Sequence, residues 1–237
     1  MFSKVQIWLS LGLIVVQTFQ AVSFLGSSFK FLSDMDNIRF DQFIIRSLTT
    51  RSPLDCSRKC EIHGTCLSFQ YSHMSGQCRL FNTIFLHQDA GVHDIGWQYY
   101  IASNRGCRDP FIDGRDLDIC FMFAGFNNLT EGMKECAAIQ SNVISITSTE
   151  ENDFLTRLTG TLSNVSPLNV SYKRPFIQGF WNGTAWILEN GTPLVYTNWA
   201  KGHPQIDDEK RYIRSIKGKW QSTKSSAIRS IFCSYKP

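Results

Sequence analysis

Eight cysteines, at positions 56, 60, 66, 78, 107, 120, 136 and 233, constrain this chain more than any other feature. Their even number and the absence of a Cys-x-x-Cys pair argue for disulfides made in an oxidising compartment rather than for zinc ligation. Met1–Ser23 has the form of a signal peptide. Lys4 is its basic end, Ile7–Val16 an apolar run of about ten residues, and Ala21-Val22-Ser23 the small residues before cleavage. The run is too short to cross roughly 30 Å of hydrocarbon as a helix, and no second apolar stretch follows. The mature chain is therefore expected to begin near Phe24 and to be secreted, with no membrane span. Five Asn-x-Ser/Thr sequons, at Asn128, Asn164, Asn169, Asn182 and Asn190, fit an extracellular glycoprotein. Pro167 and Pro193 directly follow two of them, so partial occupancy is expected there.

The first four cysteines follow Cys56-x3-Cys60-x5-Cys66-x11-Cys78. Ser52-Pro53 is a good helix start, serine as N-cap and proline at the first helical position, and it places Cys56 and Cys60 on one helix face. Gly64 ends that helix. Thr65–His73 then alternates Leu67, Phe69 and Tyr71 with Ser68, Gln70 and Ser72, the pattern of a half-buried strand. Ser75-Gly76 turns it and Cys78–Phe85 returns. Spacing leaves the connectivity open, and any small disulfide-stapled module would satisfy it. One helix clamped to a hairpin, with a Cys-x3-Cys…Cys-x-x-Phe-x-Tyr…Cys-x-Leu-Phe run, resembles the apple, or PAN, domain. The resemblance implies Cys56–Cys78 and Cys60–Cys66 bridges in a domain over 24–106, without the third bridge that joins the ends of many apple domains. Ser103–Gly106 is the only linker, short enough to hold two domains close.

Phe176–Trp220 reads Phe-Ile-Gln-Gly, Trp181-Asn182-Gly183, Trp186-Ile187, Asn190-Gly191-Thr192-Pro193, Asn198-Trp199, Gly202-His203-Pro204-Gln205 and Gly218-Lys219-Trp220. Aromatics interleaved with turn residues predict short strands and loops packed around tryptophans. Before this stretch, Thr130–Gln140 has helical spacing with Cys136 inward, Ser148-Thr149-Glu150-Glu151 is a capping box for a helix burying Phe154, Leu155 and Leu158 and stopping at Gly160, and 161–175 is a polar loop. The order of these features resembles the long-form C-type lectin-like domain, here over 107–237. The expected fold is thus α+β: a small helix-on-sheet domain followed by a lectin-like domain, both disulfide-stapled. The second resemblance implies Cys107–Cys120 and Cys136–Cys233.

In that family calcium and sugar share a site between Trp199 and the strand ending near Trp220. Calcium takes about 6–8 hard oxygens, and sugar hydroxyls can complete such a shell. The matching positions here are His203 and Gln205 around Pro204, Glu209, then Gln221 and Ser222 after Trp220, with Trp199 beside them. One carboxylate remains, and imidazole is not a calcium ligand. Asp207 and Asp208 could supply oxygens to a weak calcium site; three consecutive acids are equally a solvated loop. The disulfide that braces the loop in the family is absent, its positions holding Arg211 and Ser225. The family's proline is cis, which carries over to His203–Pro204. Trp181, Trp186, Trp199 and Trp220 read as core.

From Lys210 to Pro237 there are eight basic residues and no acid. They are either a solvated edge or a surface that attracts sulfated or sialylated glycans, or acidic proteins, by charge. The formal charge falls only from +4 to +3 on losing Lys4, which does not favour nucleic acid as partner. No Gly-x-Ser-x-Gly, His-Glu-x-x-His, phosphate loop or dinucleotide fingerprint occurs, so a binding protein is expected rather than an enzyme. Two readings remain: a secreted lectin for glycans or glycoproteins, with calcium dependence in doubt, and a protein-binding adhesion factor that keeps the fold without the sugar site.

Overall fold

A computed structural model describes residues 22–24, 27–103, 106–162, 173–207 and 209–237. The segment before residue 22 and the sequons Asn164 and Asn169 lie outside the described residues. In chain order the strands and helices of the N-terminal half are β1 (Val22–Phe24), β2 (Ser27–Phe31), β3 (Ile38–Arg39), β4 (Ile44–Thr49), α1 (Pro53–Ile62), β5 (Ser68–Ser72), β6 (Gln77–Phe81), β7 (Val92–His93) and β8 (Trp97–Ser103). Those of the C-terminal half are β9 (Ile112–Asp113), β10 (Cys120–Asn127), α2 (Leu129–Ala138), β11 (Asn142–Val143), α3 (Thr149–Gly160), β12 (Phe176–Trp181), β13 (Trp186–Ile187), β14 (Tyr212–Ile216), β15 (Lys219–Thr223) and β16 (Arg229–Tyr235). β1 straddles the expected cleavage position after Ser23.

The N-terminal half is an antiparallel sheet ordered β1-β2-β8-β5-β6-β4, with α1 packed on β5 and β6. Ser52 caps α1 by accepting from the Asp55 N–H at 3.2 Å, with Pro53 at the first helical position. Cys56 and Cys60 face the sheet and close Cys56–Cys78 and Cys60–Cys66. β5 departs from the half-buried strand that alternation suggests: all five of its residues are buried. It is a central strand with both faces covered, and its inward polar side chains are hydrogen-bonded. Gln70 accepts from the Phe40 N–H at 2.9 Å and donates to the Ile38 carbonyl at 2.6 Å, while Ser68 donates to the Thr83 carbonyl at 2.6 Å. A buried amide satisfied at both ends costs little to bury, which is how a polar residue occupies a core position.

The C-terminal half has two four-stranded sheets, β11-β16-β10-β9 and β13-β12-β14-β15, with two helices. Cys107–Cys120 closes the N-terminal hairpin, and Cys136–Cys233 ties α2 to β16 across 97 residues. Asn128 caps α2 and Ser148 caps α3. In the α3 box the acid reaches one residue further back than the N-cap: Glu151 accepts from both the N–H and the hydroxyl of Thr147, at 2.5 and 2.9 Å. Phe154, Leu155 and Leu158 are buried, and the helix ends at Gly160.

The two halves share one core. A single apolar cluster joins Phe40, Phe81, Ile84, Phe85 and Tyr99 to Phe154, Leu155, Leu158, Ile213, Trp220 and Phe232. The Phe40 and Phe85 rings stack at 3.9 Å, and Phe81 meets Phe85 edge-on at 5.1 Å. Around this seam the Arg157 Nε donates to the Asn82 carbonyl at 3.2 Å and the buried Thr161 hydroxyl to the Ile84 carbonyl at 2.8 Å. Gly160 lies under the Phe43 ring, where an added Cβ would come within 2.8 Å.

The shared core predicts one cooperative heat-absorption peak for the whole chain in scanning calorimetry; two separated peaks would show halves that fold independently. Phe85→Ala is expected to destabilise by about 3–5 kcal/mol and to lower that single peak. Loss of Cys136–Cys233 is expected to cost up to about 4–5 kcal/mol in denaturant titration, against about 2 kcal/mol for Cys60–Cys66, whose loop is far shorter.

Candidate functional site

β12, β14 and β15 present a twisted face from which the long segment between β13 and β14 departs and returns. That segment is pinned at Trp199–Trp220. The backbone there forms an isolated parallel bridge, the Trp220 N–H donating to the Asn198 carbonyl and the Ala200 N–H to the Trp220 carbonyl, each at 2.8 Å. Trp220 is wholly buried, and its indole N–H donates to Asn152 on α3 at 2.9 Å. Asn152 and Asn198 both donate to the Gly218 carbonyl, at 3.1 and 2.8 Å. Asn152 thus links helix, hairpin and loop, and only its helical position before the buried Phe154 hinted at it in the sequence.

The four tryptophans, expected to be core with no more than one facing a ligand, are less buried than that. Trp220 alone is fully buried; Trp181, Trp186 and Trp199 are half-buried and packed in series, at 5.9 Å between the first pair and 4.9 Å between the second. Burying three large indoles completely would require a second layer over the loop, and the chain supplies none among the described residues.

Of the positions matched to the ligand site, three meet. The Ser222 hydroxyl accepts from the Gln205 N–H at 2.8 Å and lies 3.2 Å from His203 Nδ1, which also accepts from the Ser222 N–H at 3.3 Å. Burial first, then the positive charges of Arg214 and Lys210, holds the His203 imidazole below its usual pKa. His203–Pro204 is cis. Gln221 is the strand neighbour of Ser222 and so points to the opposite face, where it accepts two hydrogen bonds from Arg214, at 3.2 and 2.8 Å. Glu209 pairs with Lys224. Asp207 folds back onto the N–H groups of Glu209 and Lys210 and pairs with the Lys210 ammonium at 2.8 Å, which holds its carboxyl down at about 2. Asp208 lies outside the described residues.

This donor set does not fit calcium. A hard cation needs several uncommitted oxygens converging on one point. Here the Glu209 and Asp207 carboxylates are paired with lysines, the Gln221 carbonyl accepts from Arg214, the Ser222 hydroxyl accepts from the Gln205 backbone N–H, and an imidazole lies beside it. No group of three or more His, Cys, Asp or Glu side chains converges among the described residues. Lys210 and Lys224 are the residues that sequence matching overlooked; the three-residue spacing of Asp207 and Lys210 was the available signal. The sequons Asn182 and Asn190 are exposed, each side-chain carbonyl accepting from its own Thr two residues on, whereas the Asn128 carbonyl serves as the α2 cap.

Residues 33–100 match the family model of the PAN domain, and residues 127–235 match that of the lectin C-type domain. No curated protein matches the chain. Among solved structures it is similar to the mouse scavenger receptor C-type lectin carbohydrate-recognition domain, with 18% identity over 55% of this chain and 98% of that one, at a TM-score of 0.45. Human lithostathine is 16% identical over 56% of this chain and 92% of that one, at 0.47. The C-type lectin CEL-I from Cucumaria echinata is 19% identical over 55% and 97%, at 0.45. No helix among the described residues is long and apolar enough to cross a membrane.

Millimolar calcium is expected to move the melting temperature by no more than about 1 °C, because stabilisation follows the ratio of free ion to dissociation constant. A rise of many degrees, abolished by Glu209→Ala, would show that the lysine pairs yield to the ion. Asn152→Ala, which leaves the Trp220 N–H buried without an acceptor, is expected to cost about 1–3 kcal/mol in denaturant titration.

Proposed function

We propose, for a chain that carries a PAN domain followed by a C-type lectin domain, that it is a secreted recognition protein whose lectin half binds glycans without calcium. With a leader over 1–23 removed, 24–106 and 107–237 are its two modules, and four disulfides suit an extracellular setting. The observation that carries this reading is the series Trp181, Trp186 and Trp199. Their rings are part-exposed beside the polar loop, and aromatic surface of that kind suits the C–H faces of sugar rings. The Ser222 hydroxyl holds His203 and the Gln205 backbone N–H in one shape without a metal, which supports a reading that does not require calcium. Nothing in the arrangement pairs a nucleophile with a base and an orienting acid, so recognition rather than catalysis is the role proposed.

One observation favours a second reading. Val195 and Ile206, on the same long segment, are 82% and 48% exposed, and apolar side chains there suit a protein ligand better than a sugar. A glycan array probed with the secreted protein, once with calcium and once with chelator, separates the two. Binding to the same glycans under both conditions is the expected result. Binding that vanishes with chelator overturns calcium independence, and an array silent under both conditions leaves the protein-ligand reading.

A further inference from the structure

β14 and β15 carry an unusual concentration of positive charge on the face opposite Ser222. Strand register puts Arg214 across from Phe176 on one side and Gln221 on the other, and Tyr212 across from Thr223. Arg174 lies two residues before β12, close enough for its charge to act on both Arg214 and Arg229. Arg229, at the start of β16, sends its guanidinium to this face as well: Nη2 donates to the Thr223 hydroxyl at 3.1 Å, and the group lies 5.7 Å from the Phe176 ring centre. Arg229 is only 9% exposed, and its Nε is buried with no hydrogen-bond partner. None of the three arginines forms an ion pair among the described residues, and the stretch 163–172 just before Arg174 contains no Asp or Glu.

A buried guanidinium without a counter-ion is an expensive arrangement, and gathering two more cations around it raises the cost. The strain is visible in its acidity. Burial first, then the charges of Arg214 and Arg174, brings the Arg229 pKa down to about 10, and burial followed by Arg174 lowers that of Arg214. The three guanidinium groups thus gather positive charge on one face, and the Arg229 Nε is a donor left unused. A bound anion would supply the missing acceptors and relieve the repulsion in one step.

We propose that Arg174, Arg214 and Arg229 form an anion site that takes a sulfate ester of a glycan chain. The assignment rests on the glycan reading above and names the ligand class for a different face of the same domain. A carboxylate offers two oxygens, which one guanidinium fork satisfies, whereas a sulfate monoester offers three terminal oxygens, enough for more than one guanidinium group. Arg174 was not among the eight basic residues of the C-terminal stretch, and Lys217 and Lys236 of that stretch take no part here.

The test uses the whole secreted protein on immobilised heparin, with de-sulfated heparin and polysialic acid as further surfaces. Arg229→Gln removes the buried centre but can unfold the sheet, so the exposed Arg174→Glu is the principal variant and Arg214→Gln the second. Each is expected to weaken heparin binding by about tenfold or more, equivalent to about 1.4 kcal/mol. The control Lys217→Glu with Lys236→Glu, of equal or greater charge change, is expected to weaken it by less than about threefold. De-sulfated heparin and polysialic acid are expected to bind weakly and alike in wild type and variants. Equal loss in control and site variants overturns the site, as does absence of wild-type binding to heparin. Polysialic acid binding that depends on Arg174 overturns the sulfate assignment. Neutral glycans that still bind the array when heparin fails show that the site is wrong while the glycan reading stands.

Discussion

Phe85 sits in a loop of the N-terminal half, yet its burial depends on residues more than sixty positions later. It stacks on Phe40, meets Phe81 edge-on, and belongs to the cluster that α3 closes with Phe154, Leu155 and Leu158. Without α3 the cluster that holds Phe40, Phe81 and Phe85 would lose Phe154, Leu155 and Leu158. Without the sheet, α3 would lose the apolar partner that makes its amphipathic pattern worthwhile. Apolar burial scales with area removed from water, so this one contact sets the relative position of everything attached to either side.

From α3 the constraint passes outward through polar contacts. Asn152 holds the Trp220 indole and the Gly218 carbonyl, Trp220 pairs by backbone with the 198–200 segment, and that segment fixes where His203, Gln205 and Ser222 meet. The loop is held by a wholly buried tryptophan, an asparagine and two lysine–carboxylate pairs. The same lysine pairs remove the oxygens a cation would need.

Local chemistry was the most legible part of the sequence. Ser52-Pro53 and the Ser148–Glu151 box start helices where their capping predicts, because a cap is satisfied within one turn and needs nothing distant. β5 is fully buried rather than half-buried because its second cover comes from the 38–40 segment and Thr83, partners that periodicity in one strand cannot reveal. Counting donors around Trp220 located His203, Gln205 and Ser222 together. It could not show that Gln221 turns away, since strand alternation acts on side chains only after register is set. Arg174 escaped notice for a related reason: its neighbours Arg214 and Arg229 are distant in sequence and adjacent only through the pairing of β12 with β14.

The covered sheet face also bears on how the chain comes into being. An N-terminal domain with its own closed core can finish folding as it emerges from the ribosome. Here α3 and the strand that ends at Tyr235 must arrive before Phe40, Phe81 and Phe85 are shielded. At synthesis rates of about 5–20 residues per second, the remaining stretch of chain takes on the order of ten seconds to appear. Throughout that interval a disulfide-clamped sheet presents an aromatic surface to its surroundings. Shortening the chain at its far end would therefore leave the aromatic cluster of the near end exposed.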